Sequence, residues 1–88
     1  MKRPKIAIHP GEILLEEFLR PMKLSQAAFA DKLEWTKAKL NELIKGKRGI
    51  TADSALDLAQ ALKTTPELWM NLQVSWDLAQ AIKNRESA

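Results

Sequence analysis

Between Lys37 and Arg48 the chain carries Lys37, Lys39, Lys45, Lys47 and Arg48 against one acid, Glu42, a local charge of +4. The rest of the chain holds nine bases and ten acids, a balance of −1, so the net charge of +3 is concentrated in one short stretch. A smaller basic group, Lys2, Arg3 and Lys5, stands near the N-terminus. A solvated charged face is the bland reading of such a run. Local basicity on an otherwise balanced chain is also the electrostatic footprint of a phosphate-binding surface. Asn41 lies among these cations. An Asn amide can pair with adenine through two hydrogen bonds, and a lysine can donate to guanine. The chemistry on offer is recognition, not bond-making.

The remaining reactive residue types point away from catalysis. There is no cysteine, hence no disulfide, thiolate nucleophile or cysteine-based zinc site. The single histidine, His9, precedes Pro10-Gly11 with no second histidine or acidic cluster beside it, so it reads as an N-terminal helix cap. Glu12, Glu16 and Glu17 lie along one helix and share a face, which gives no cleft for acid–base work. Trp69 and Trp76 stand two turns apart in a helix and read as core. Stacking on single-stranded nucleic acid would require interleaved bases, and residues 64–82 contain none. With no glycine-rich phosphate loop, nucleophile–base pair or ligand set, neither an enzyme, a cofactor nor a metal is expected.

The elements that must position the basic stretch are helices. Helix one starts near His9-Pro10, with proline in the first turn, and ends at Pro21. Its apolar face is Ile13, Leu14, Leu15, Phe18 and Leu19. Helix two is capped by Ser25, with Leu24 and Phe29 as a hydrophobic staple; helix three repeats the device with Thr36, Trp35 and Leu40. Leu40, Leu43 and Ile44 form the buried stripe of helix three. Ala38, Asn41, Glu42 and Lys45 point outward, flanked by Lys37 and Lys39. Gly46 is placed to end this helix in the left-handed region. Helix four is capped by Thr51 and buries Ala55, Leu58, Ala59 and Leu62. Helix five runs over 66–84.

Helices two and three are separated by about three residues, and Ala30 lets them approach. This spacing predicts a helix-turn-helix over 25–45, in which the second helix enters the major groove of DNA. Lys37, Ala38 and Asn41 then face base edges beside Gln26, with Lys39 flanking them on the DNA-binding surface. Ser25, Thr36 and the helix-two N-terminus, with Lys45, Lys47 and Arg48, meet phosphates. Eighty-eight residues predict one domain over 1–88. No apolar run is long enough to span a membrane, the basic N-terminus lacks the apolar stretch of a signal peptide, and a cytoplasmic protein is expected.

The stretch LSQAAFADKLEWTKAKLNELIKG resembles the helix-turn-helix of the phage-repressor (Cro/C1, XRE) family, with Phe29, Ala30, Leu33, Trp35, Leu40 and Leu43 in that pattern's apolar and small positions. Glu34 departs from it, standing where the family usually has glycine in a left-handed conformation. A narrower resemblance covers residues 7–81. HPGEILLEEFL, LIKGKRGIT and TPELWMNLQVSWDLAQA, in that order, resemble the HigA-type antitoxins. The resemblance implies an all-α, five-helix, phage-repressor-like domain that dimerises, represses its own operon and neutralises a RelE-like ribonuclease toxin. A phage-type regulator of the same build with no toxin is the alternative.

Two interfaces follow as expectations. Such toxins are basic, and Glu12, Glu16 and Glu17 offer an acidic face on helix one. Helix five has two apolar stripes. Leu68, Trp69, Leu72, Trp76 and Ala79 are expected to pack on the other helices. Met70, Val74, Leu78, Ala81 and Ile82 are left for a second copy, because a surface helix of a monomer needs only one stripe. A two-fold homodimer would set two reading helices about 34 Å apart, on the half-sites of a palindromic operator in double-stranded DNA.

Overall fold

The structure, a computed structural model, describes residues 7–87; the basic group Lys2, Arg3 and Lys5 lies outside the described residues. Five helical rods, and no strand, make up the described part of the chain. We label them α1 (Pro10–Ile13, continued by a π-helical stretch Leu14–Leu19), α2 (Gln26–Leu33), α3 (Lys37–Ile44), α4 (Ala52–Leu62) and α5 (Pro66–Ser87).

The opening HPG triplet acts residue by residue. The His9 Nδ1 accepts a hydrogen bond from the Gly11 N–H at 2.9 Å, as a cap must. Pro10 occupies the first helical turn, where its missing N–H costs nothing. Gly11 is buried against the last turn of α3, and a methyl group there would drive into the Leu43 carbonyl. The start of α1 is thereby wedged onto the end of α3.

The middle of α1 departs from the α-helix that its pattern predicts. The Arg20 N–H reaches back five residues, to the Leu15 carbonyl at 2.9 Å. An ideal α-helix sets residues five apart about 140° away from each other. The wider turn brings Leu14 and Leu19 onto one side, and both are fully buried.

Four helix ends share one device. Lys23, Glu34, Gly46 and Lys63 all have φ between 54° and 77°. Each is followed by an N–H that bonds five residues back: Leu24 to Leu19, Trp35 to Ala30, Lys47 to Glu42, and Thr64 to Ala59. This is the Schellman closure of orphan carbonyls. At Glu34 a glutamate adopts the left-handed conformation (φ 60°, ψ 34°) of the family's usual glycine, so the turn has the expected shape with an unexpected residue.

The core is Leu14, Leu19, Phe29, Ala30, Leu33, Leu40, Leu43, Ile50, Ala55, Leu58 and Trp69. The Trp69 ring lies 5.4 Å from Phe18, and its indole N–H donates to the Thr64 hydroxyl at 2.9 Å, so its one polar atom is satisfied. α4 begins with a capping box in which Thr51 and Ser54 serve each other; only Thr51 was foreseen.

α5 extends to Ser87, beyond the expected end at 84. At 1.5 Å per residue it is roughly 33 Å long, which accounts for the elongated 41 × 24 × 23 Å shape. Its inner stripe differs from expectation at one residue. Trp69 and Ala79 are buried, Leu72 and Trp76 half-buried, but Leu68 is exposed. Leu68 and Met70 flank Trp69 on opposite sides, and α4 lies on the Met70 side. Met70 therefore packs partly on the core and lines a shallow hollow with Ala52, Ala55, Leu56 and Pro66.

Candidate nucleic-acid interface

α2 and α3 each start on a hydroxyl cap. Ser25 Oγ accepts from the Ala28 N–H at 3.1 Å, and Thr36 Oγ1 from the Lys39 N–H at 3.1 Å. Both caps are exposed, so each helix presents its partly positive N-terminus at the surface. Leu40 and Leu43 are buried and Ile44 packs half-buried on the core, as the helical spacing predicts. That seating turns Lys37 and Ala38 fully outward and leaves Asn41 partly exposed.

Asn41 is not isolated. Its side-chain N–H donates to Gln26 Oε1 at 3.3 Å, joining the first residue of α2 to the outer face of α3. The bond leaves the Asn41 carbonyl oxygen and one of its amide hydrogens for a base edge. It also leaves the Gln26 amide N–H groups for a backbone phosphate.

The cations divide into two sets. Lys37, Lys45 and Lys47 are exposed. Lys39 lies with its ammonium 4.2 Å from the centre of the Trp35 ring, a cation–π contact. Trp35 itself donates its indole N–H to Asp57 Oδ2 at 2.9 Å. Lys39 is thus drawn toward the α2–α4 side, whereas Lys37 and Asn41 keep the free face. Arg48 reaches back to Glu42 through Nε at 3.2 Å and Nη2 at 2.8 Å, both onto Oε1. Both partners are about half exposed, so the pair is weak in energy and mainly orients the guanidinium. Its remaining N–H donors are left for an anion.

The loop after α3 is held from behind. Gly46 (φ 77°) sits against the His9 ring, and a methyl group there would lie 3.7 Å from it. The same ring packs edge-on to Trp76, with centroids 5.1 Å apart. Burial holds the His9 imidazole below its ordinary pKa of 6.5, against the smaller raising effects of Asp77 and then Glu12. The neutral ring is the form whose Nδ1 can accept from Gly11. At the other end of the loop, the Ile50 N–H donates to Gln73 Oε1 at 2.7 Å. Neither Gln73 nor Gly11 was singled out from the sequence, since both act across elements.

The residues expected at protein interfaces are distributed as follows. Glu12, Glu16 and Glu17 are exposed, and Glu16 pairs with Arg20 Nε at 3.1 Å. Sequence distance misleads about this face: Glu12 and Glu16 line a hollow together with Leu15, Ile44, Lys45 and Trp76, at the very end of α3. On α5, Val74 and Ala81 are exposed, Leu78 and Ile82 half-buried, and Met70 is shared with the core. Among the described residues no cluster could hold a metal ion, and no helix is long and apolar enough to cross a membrane.

The Helix-turn-helix family matches residues 15–69 of the chain. Virulence-associated protein I of Dichelobacter nodosus is 44% identical over 81 residues, covering 92% of this chain and 75% of that protein. Antitoxin HigA-1 of Vibrio cholerae is 39% identical over 77 residues, covering 88% and 70%. The Pseudomonas aeruginosa antitoxin HigA, solved with the higBA promoter, superposes with a TM-score of 0.88 at 39% identity, covering 93% of this chain and 89% of that one. The family is one of helix-turn-helix DNA-binding regulators and antitoxins, not enzymes. The chain belongs to the helix-turn-helix family of phage-repressor type, and within it to the HigA-type antitoxins.

Proposed function

We propose that this chain is a sequence-specific DNA-binding antitoxin that dimerises on a palindromic operator, represses its own operon and neutralises a RelE-like ribonuclease toxin. The observation that carries the DNA half is the outward face of α3. Lys37, Ala38 and an Asn41 fixed by Gln26 stand where base edges would lie, with Ser25, Gln26, Thr36, Lys45, Lys47 and Arg48 around them for phosphates. Base contacts supply specificity, and the flanking cations supply affinity that falls with salt. That the similar Pseudomonas aeruginosa HigA was solved with a promoter supports this reading.

Dimerisation through Val74, Leu78, Ala81 and Ile82, with Met70 at the edge, would cover apolar surface that a lone chain leaves in water. It would also pair two α3 helices for two half-sites. Glu12, Glu16 and Glu17 supply the acidic surface for a basic toxin. The test is co-purification with the product of the adjacent reading frame. Capture of a small basic ribonuclease, lost on E12K/E17K replacement, is the expected result. Operator binding with no such partner would leave a regulator without a toxin. Because Glu12 shares a hollow with Lys45, operator affinity is measured on the same variant.

A further inference from the structure

We infer that Gln73 of α5 is a positioning residue for DNA binding. It holds the loop between α3 and α4 in the shape that presents Lys47 and Arg48 to phosphate. The inference rests on the reading of that loop as a phosphate contact.

The geometry is specific. Gln73 Oε1 accepts from the Ile50 N–H at 2.7 Å, and Gln73 Nε2 donates to Asp77 Oδ1 at 2.8 Å. Asp77, one turn further along α5, can only accept when ionised. It therefore fixes which end of the amide faces the loop. The amide also lies flat on the backbone at Gly49, where a Cβ would come within 3.0 Å of Oε1 and 3.2 Å of Nε2. A side chain at that position would press on the amide, and the Gln73 side chain would have to give by a few tenths of an ångström. Ile50 is buried in the core and Thr51 caps α4, so the bond sits at the pivot between loop and helix.

α5 holds the other end of the loop as well. Trp76, one turn from Gln73, packs on His9, and His9 backs Gly46. Lys47 and Arg48 lie between these two points of attachment. The residue next to Gln73 is Val74, exposed on the face proposed for the second protomer. One rigid helix thus links the partner-facing surface to the phosphate-facing loop. Docking a second copy on α5 would steady the loop's anchor.

The experiment measures binding of the full chain to a random-sequence 30-bp duplex across a series of NaCl concentrations, so that base reading plays no part. Q73M keeps side-chain length and removes both hydrogen bonds. Affinity should fall about threefold to tenfold, and the slope of log affinity against log salt should drop by about one unit. In a K47A/R48A background the same replacement should change neither. Q73E/D77N reverses the polarity of the pair at unchanged net charge and still offers Ile50 an acceptor; it should restore affinity and slope. A Q73M protein with lower thermal stability but an unaltered slope would overturn the inference. So would a full additional loss in the K47A/R48A background, or failure of Q73E/D77N to restore binding where it restores stability. If K47A/R48A itself binds with the wild-type slope, the phosphate reading of the loop falls and the inference falls with it. If K47A/R48A weakens binding and Q73M does not, only the role of Gln73 is refuted.

Discussion

In α2 and α3 the outward residues are set mainly by signals within about twenty residues of chain: two hydroxyl caps, one left-handed turn and one buried stripe. In α5 only the start is set that way. Thr65 Oγ1 accepts from the Leu68 N–H at 3.2 Å, and beyond it the role of each residue depends on what lies across from it. Trp69 is core because Phe18 and Thr64 meet it; Trp76 is half-buried because His9 does. Val74 is exposed. A locally encoded unit presents a finished surface, whereas the surface of a long-range one depends on what packs against it.

The contrast is broken most strongly by attacking α5 where it is unfinished. V74D/L78D should leave the α2–α3 unit folded and make the chain monomeric by ultracentrifugation. Affinity for a two-half-site operator should fall about 100-fold or more, because the second half-site is no longer tethered. Wild-type chain that is monomeric at tens of micromolar would remove the dimer from the account.

The next effect concerns the wedge of α1 against α3. G11A should cost about 1–3 kcal/mol in denaturant unfolding, since the methyl group meets the Leu43 carbonyl backbone, which cannot give way as a side-chain tip would. A neutral G11A would show that α1 is not seated as described.

The smallest effect belongs to His9, whose folded-state pKa is lowered by burial. Folding favours the neutral ring. The stability this contributes is complete above the unfolded value near 6.5 and is lost as pH falls through the lower folded value. Thermal stability should therefore decline below about pH 6.5, and part of that decline should vanish in H9N, which keeps a capping side chain without the titration. An identical pH profile in H9N would show that protonation of His9 is not what limits stability at low pH.

Legibility in the sequence followed the same division. The caps Ser25, Thr36 and Thr51, the turn at Gly46 and the inward stripe of α3 were all readable, because each depends on residues within a few positions. So was the mutual position of Gln26 and Asn41, which follows once the turn between α2 and α3 is known. The π-helical stretch was not. It answers the need to bury Leu14 and Leu19 together, and that need exists only after the other helices are in place. Gln73 was invisible for a like reason, since its bond to Ile50 spans 23 residues. Lys39 read as a DNA-facing cation because helical spacing alone cannot show Trp35, bonded to Asp57, drawing its ammonium to that side.

The central claim is that the outer face of α3 reads bases while its flanks meet phosphate. The most direct measurement compares N41A and K37A with wild type on two duplexes, the operator upstream of the chain's own gene and a scrambled sequence of the same length. Each replacement should weaken operator binding by about 1–3 kcal/mol and change binding to the scrambled duplex far less. Equal losses on both duplexes would contradict the claim and leave α3 as one more part of a sequence-blind cationic surface.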